Sequence, residues 1–436
     1  MGLLLRTAVM IAAPLEARAQ SEPSLDEEDR QRQAEAFVLP EGAVATPPFV
    51  IMGYIDIGFA RASGDGTSFA PGDARDEPDY HSDPFAPAVN SRGDVASIDA
   101  GNRTVNGFLP RTVNTGGRGS FLLNTLDLDL RYQAPRAPVM AFARVQLLPR
   151  WGGDGHGNQT VVLVDQAFGR VTPFEGRELF ISLGKLDSVL GIEYLDSQAN
   201  YRTGITPSLL ARYTTGTALG AKLFYRQQLP AAWSAISLNA AATNGSNFVE
   251  ALQPPDASLT GIPSLSARLG FELNLPSFQI KLGASGLRGP RNDAHDTGAA
   301  LEQYVLDARV LVGGLSLSGE YLKVAEDEGQ GMKQTGMGAF PEAAEFHAQG
   351  GWAQAAYAFH LGLDALRAVT VYARLEQRHA WFETMPAITV GRLTVGARLD
   401  LWDCLLLKGE MLVNRELEGA PGVDNDVLTF SGVYSW

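Results

Sequence analysis

Apolar and polar residues alternate with period two in segment after segment of this chain, yet none of its 436 residues belongs to a run of about 18 apolar ones. Period two sends successive side chains to opposite faces of a strand, so each such segment carries one apolar and one polar face. Helical periodicity is missing from every long segment. A chain of this kind can cross a bilayer only as a closed sheet, because an open sheet leaves backbone groups unpaired in hydrocarbon.

The pattern opens at Phe49 to Ala60, where Ile51, Ile55, Ile57 and Phe59 oppose Met52, Tyr54 and Asp56. Leu122, Leu126, Leu128, Leu130 and Tyr132 then oppose Asp127, Asp129 and Arg131, and Val139 to Leu147 places Arg144 and Gln146 on its polar face. Further strands are expected at 160–172, 178–185, 219–226, 232–243, 265–273 and 278–284. The C-terminal part continues at 304–310, 315–321, 350–360, 369–376, 393–401, 405–413 and 426–436. Connectors alternate short and long, as in barrels with short turns at one rim and long loops at the other. The short ones fall near 133–138, 173–177, 228–231, 274–276, 313–314, 361–367 and 402–403. The long ones fall near 61–118, 149–159, 186–215, 244–262, 289–300, 325–349, 380–388 and 415–425. The reading is an all-β, antiparallel up-and-down transmembrane barrel of about sixteen strands. Counting Ser208 to Tyr213 as one more strand would force a further one and give about eighteen.

Alternation alone also suits a soluble sandwich. What separates the two is charge at mid-strand, which in a barrel of this circumference faces a wet interior while the apolar face meets lipid. The basic residues on that face are Arg131, Arg144, Lys222, Arg226, Arg268, Lys281, Arg309, Arg374, Arg398 and Lys408. Asp56, Asp127, Asp129, Glu272, Asp307, Glu320, Glu376, Asp400 and Glu410 are the acidic ones. These are the expected pore-lining residues. Near balance of sign leaves ion preference undeclared, and pairing across neighbouring strands is the competing role for each charge.

The net charge of −14 argues against a nucleic-acid partner, which calls for a basic face. Cys404 is the only cysteine, so there is no internal disulfide. Residues 1–19 read as an export signal, with Arg6, the apolar stretch Thr7 to Ala13 and Ala17-Arg18-Ala19 at the cleavage site, although the basic opening is nearly absent. Residues 20–47 are charged and Pro-rich and read as a periplasmic tail, which leaves 48–436 for the barrel.

Between Leu183 and Arg202 the chain reads LGKLDSVLGIEYLDSQANYR. Lys185, Asp187, Glu193, Asp196 and Arg202 are spaced among small and apolar residues, a composition able to fold back into a polar lumen near 186–215 or to project from the surface. A wide barrel that sieves solutes needs a constriction, and an inward loop provides one. The segment GKLDSVLGIE at 184–193, with TNGSN at 243–247, SLSGEYL at 316–322, LKGEM at 407–411 and GYIDIGF at 53–59, resembles porins of the β-barrel porin-2, OmpL-like, family. The likeness to the phosphate-selective porin O and P group is more distant. The resemblance implies a passive diffusion channel in the bacterial outer membrane, often a homotrimer, surrounded by outer-membrane lipid. It also implies that barrel-assembly machinery reads the terminal strand DVLTFSGVYSW, in which Phe430, Tyr434 and Trp436 share the lipid face. Phosphate binding does not carry over, because no row of Lys and Arg falls on one inward ladder.

Enzymatic readings find little support. The six histidines, His81, His156, His295, His347, His360 and His379, lie in loops or at strand ends without a Ser-His-Asp arrangement. Acidic residues of the first loop lack the ordered spacing of a calcium loop, so neither a metal nor a cofactor is expected. The competing function is an adhesin or assembly scaffold acting through the long loop at 61–118.

Overall fold

The β-branched, leucine and aromatic residues at alternate positions form strands here because each strand presents its apolar side outward in register with its neighbours. The computed structural model describes residues 48–62, 95–98, 104–109, 120–134, 137–148, 161–174, 176–230, 233–245, 262–290, 299–327, 332–335, 338–341, 345–382, 385–418 and 426–436. The export signal and the tail expected at 1–47 lie outside them.

Twenty strands are present among these residues. The first ten are β1 (Phe49–Ala62), β2 (Val95–Ile98), β3 (Thr104–Leu109), β4 (Ser120–Gln133), β5 (Val139–Leu148), β6 (Val161–Val171), β7 (Glu178–Asp187), β8 (Thr217–Gln228), β9 (Ser234–Thr243) and β10 (Ser264–Leu275). The others are β11 (Phe278–Pro290), β12 (Ala300–Val312), β13 (Leu315–Glu326), β14 (Met332–Thr335), β15 (Gly338–Pro341), β16 (Phe346–His360), β17 (Leu366–Phe382), β18 (Met385–Leu401), β19 (Leu405–Glu418) and β20 (Val427–Ser435). Sixteen of them close one antiparallel barrel, and β2 with β3 and β14 with β15 make two small separate sheets. Among the described residues no helix is long and apolar enough to cross a membrane.

Closure comes from β1, which pairs with β4 on one side and β20 on the other. The chain's last residue completes the seam, Trp436 N donating to Gly53 O at 3.0 Å and Gly53 N to Trp436 O at 3.2 Å. Gly53 is required there because a Cβ would overlap the Asp127 carbonyl of the neighbouring strand and come 2.7 Å from the Trp436 ring. Outside, Leu265, Leu269, Leu306, Leu375, Val395 and Phe430 stand exposed in a continuous apolar wall.

Three details differ from the sequence reading. Ser208 to Tyr213 is not a strand: it lies within a loop whose residues 211–214 form one helical turn, α1 (Ala211–Thr214), so the count stays at sixteen. The seventh long connector shrinks to 383–384 because pairing continues through Ala380↔Ile388 to Phe382↔Met385. A bulge in β4 puts Leu123 rather than Asn124 opposite Ile57 and pairs Leu122 with Gly58, since the inserted residue shifts the face alternation by one and takes Leu122 out of the series of Leu126, Leu128 and Leu130.

Candidate functional site

The loop between β7 and β8, residues 188–216, folds into the barrel, and its contacts explain why. Leu190, Ile192, Leu209, Leu210 and Tyr213 of the loop join one buried cluster with Leu287, Leu301, Val305, Leu322, Val324, Phe346, Ala348, Trp352, Ala380 and Val390 of the wall. These wall residues sit on the inward face near the loop-bearing ends of β11, β12, β13 and β16 to β18. On these strands the inward face therefore carries an apolar patch toward the loop-bearing ends, a change that alternation alone does not display. Burying five large loop side chains contributes on the order of 10 kcal/mol, an upper figure that still marks the loop as firmly seated.

Polar contacts from the wall address the loop through its backbone. Glu320 accepts from Ile192 N, from Glu193 N at 2.8 Å and from the Trp352 indole at 3.3 Å. Gly191 N donates to Ser285 Oγ at 3.0 Å. Glu410 accepts from Ile205 N at 2.8 Å, Thr206 N at 3.0 Å and Tyr372 OH at 2.6 Å. Leu209 N donates to Glu376 at 2.6 Å, and Arg374 donates to the carbonyls of Thr206 and Pro207. Lys408 donates to the carbonyls of Ala199, Arg202 and Gly204, and Arg398 reaches that of Tyr201 at 3.4 Å. A loop with only two short helical turns, at 193–196 and 211–214, leaves many backbone groups to satisfy, and here wall charges satisfy several of them. Gly191, at φ 67°, is the glycine this contact requires, since a Cβ would overlap the Glu320 carboxylate.

The residues expected in the loop divide. Asp196 pairs with Arg309 at 2.7 Å, and Arg202 turns back to the carbonyls of Ser197 and Ile205, closing the loop on itself. Glu193 is buried and accepts from Ser208 N at 2.7 Å and Ser208 Oγ; burial pushes its carboxyl above the usual range, opposed by Arg374 and the Ser208 donors. Asp187 ends β7 and pairs with Lys222 at 2.5 Å. Lys185 is a correction: it lies inside β7, paired with Ala167 and Leu219 on the outward face, because β8 extends far enough to hold β7 as strand through Asp187.

Other wall charges meet each other. Arg144 forms a bidentate pair with Asp129 at 2.7 and 2.9 Å, and its guanidinium also meets the Gln198 side chain of the loop. Asp127 accepts from Thr125 and Gln146. Arg226 bridges Glu178 at 3.2 Å and Glu272 at 2.7 Å, and Arg268 grips Asp307 at 2.5 Å. Arg398 pairs with Asp400 at 2.6 Å, and Asp56 accepts from Asn124 and Ser431. Arg131 is buried on the inward face of β4, and Lys281 faces inward beside Glu272 and Arg309 in register.

Sequence reasoning missed Arg392, which pairs with Glu376 at 2.8 Å and donates to Pro207 O at 2.5 Å. Its signal was present, because Arg392 shares parity with Arg398 on β18. It also missed an inward aromatic patch: Phe142 packs on Phe168, Phe180 on Phe224, and Arg170 lies 5.1 and 5.6 Å from the Phe168 and Phe180 rings. Among the described residues no group of His, Cys, Asp and Glu is placed to hold a metal.

No family model and no curated protein matches the sequence. Solved structures do match in shape. The outer membrane channel DcaP of Acinetobacter baumannii aligns with TM-score 0.51 and 11% identity over 89% of this chain and 97% of that one. Salmonella typhi OmpF in complex with daunomycin gives the same figures, TM-score 0.51, 11%, 89% and 97%. An anion-selective porin from Comamonas acidovorans aligns at TM-score 0.48 and 12% identity over 89% and 99%. The chain therefore has the closed sixteen-stranded architecture found in outer-membrane porins.

Proposed function

We propose that this protein is an outer-membrane porin, a passive channel for small hydrophilic solutes and ions, with the loop at 188–216 as its constriction. The observation that carries the reading is the loop itself, folded across the interior and held by charges of the inward face. An exposed apolar wall outside and charges inside are the arrangement of a protein whose exterior meets lipid and whose interior meets water. The OmpL-like relationship, homotrimer assembly, export and recognition of Phe430, Tyr434 and Trp436 by assembly machinery belong to the same proposal. The expected pore-lining charges then do two jobs. Glu320, Arg374, Glu376, Lys408 and Glu410 hold the loop, as do Lys222 and Arg309 from the other side, while Asp129, Glu272 and Asp400 border the remaining water.

Purified protein added to a planar bilayer should give discrete conductance steps, and deleting Asp187 to Ala211 should enlarge them. Absence of steps from folded protein overturns the channel reading. Unchanged step size in the deletion removes the loop from the pore.

A further inference from the structure

Counted by sign, the inward charges nearly balance, but they do not share the water equally. In the Lys222–Asp187 pair the lysine side chain is 10% exposed and the aspartate 30%. Arg309 and Asp196 stand at 10% and 26%, Arg144 and Asp165 at 7% and 26%. Arg226 is 1% exposed beneath two carboxylates, Glu178 at 36% and Glu272 at 15%. In each pair the cation is recessed in the wall and the carboxylate covers it on the water side.

The pairs that break this rule lie behind the loop. Glu376 and Asp307 are wholly buried under their arginines, away from any path. The open carboxylates Asp165, Asp187, Glu272 and Glu178 are carried by β6, β7 and β10, across the barrel from β17 to β19, whose charges hold the loop from 199 to 209, and Asp196 is carried by the loop, against Arg309 of β12. They run from the loop-bearing end of β7 at Asp187 to its short-turn end at Glu178. Other half-buried inward cations are Lys281, Arg398 and the loop's Arg202; Lys281 lies in register with Glu272, Arg398 at 21% is matched by Asp400 at 24%, and Arg202 is turned onto the loop's own carbonyls.

We infer that the channel selects small cations, which pass along this trail of carboxylates turned toward the lumen on the β6 to β10 side of the loop. An ion in the lumen is nearer to each carboxylate than to the guanidinium or ammonium behind it. At contact range the carboxylate is the closer of the two charges and its attraction exceeds the repulsion from the cation behind it, whereas farther away the pair acts as a dipole whose field falls off steeply, so the nearer sign dominates along the wall without an excess of acidic residues. Narrow, low-dielectric walls concentrate that field. The inference rests on the channel reading above.

The test is the reversal potential of the full chain in a planar bilayer across a potassium chloride gradient. Potassium should be preferred over chloride by roughly tenfold, the lower end of the effect of a one-signed cleft. In Asp187→Asn/Asp196→Asn the ratio should fall toward parity. Lys222→Met, which removes the positive charge behind Asp187, should raise it. Heat-modifiable migration of each variant reports folding. Chloride preference or parity in the parent protein overturns the inference, as does a ratio that neither substitution moves. Either result leaves the channel reading standing, whereas folded protein without any steps removes that reading first.

Discussion

Glu410 shows how much one inward carboxylate can hold. It accepts from two loop amides and from Tyr372 OH, while the neighbouring inward residue on its strand, Lys408, takes three loop carbonyls. Glu410→Ala should free that end of the loop at a cost of about 3 kcal/mol, the scale for hydrogen bonds to a buried charge and the donors left behind. Limited proteolysis within 199–207 should then quicken with the barrel still heat-modifiable. Gly191→Ala should act at the other end, since φ 67° costs an L-residue about 1–2 kcal/mol and the added carbon meets Glu320. Noisier single-channel current would be the readout. Arg202→Ala, which touches only the loop's own carbonyls, should loosen the turn and leave wall attachment intact. Glu410 and Arg374 were legible as inward charges from parity; that their partners are loop backbone atoms was not, because no side-chain pattern marks a carbonyl 168 positions away.

The elements differ in how openly the sequence declared them. β10 and β11, joined at 276–277, carry eleven paired residues in strict alternation, and both were readable with their facing sides. β17 and β18 each extend nearer to their shared turn than alternation suggested, since His379 and Thr389 break the apolar series while the backbone ladder goes on. The loop from 188 to 216 is the opposite case. Its apolar residues look like those of a buried segment, and Ser208 to Tyr213 looks like a strand, but it is held in place by side chains from six barrel strands or more. Detaching its apolar anchors should therefore matter as much as cutting its ion pairs. Leu210→Asp, which buries a charge among Leu322, Phe346 and Val390, should unseat the loop and enlarge conductance nearly as far as the deletion does.

The barrel closes at a single seam, and its geometry makes the last residue a structural part. Gly53→Leu should strike the Asp127 carbonyl and the Trp436 ring and lower the fraction of protein that reaches the heat-modifiable form, while Gly432→Ala, on the same seam, where a Cβ meets nothing nearer than 3.6 Å, should not. A gel of unboiled protein measures both. β20 meets β1 at nine paired positions. The terminal aromatics also keep their outward place, Tyr434 and Trp436 stacking with ring centroids 6.3 Å apart.

What the sequence determined by itself is the sheet: period two is a local property, each strand carries its own two faces, and the alternation of short and long connectors orders the strands around the barrel. The tertiary structure decided what fills it. A loop has no period to read, so its inward course depends on apolar wall residues and buried charges brought together only when the sheet closes. The same holds for the electrostatics of the lumen, since composition counts charges whereas depth in the wall determines which of them an ion meets.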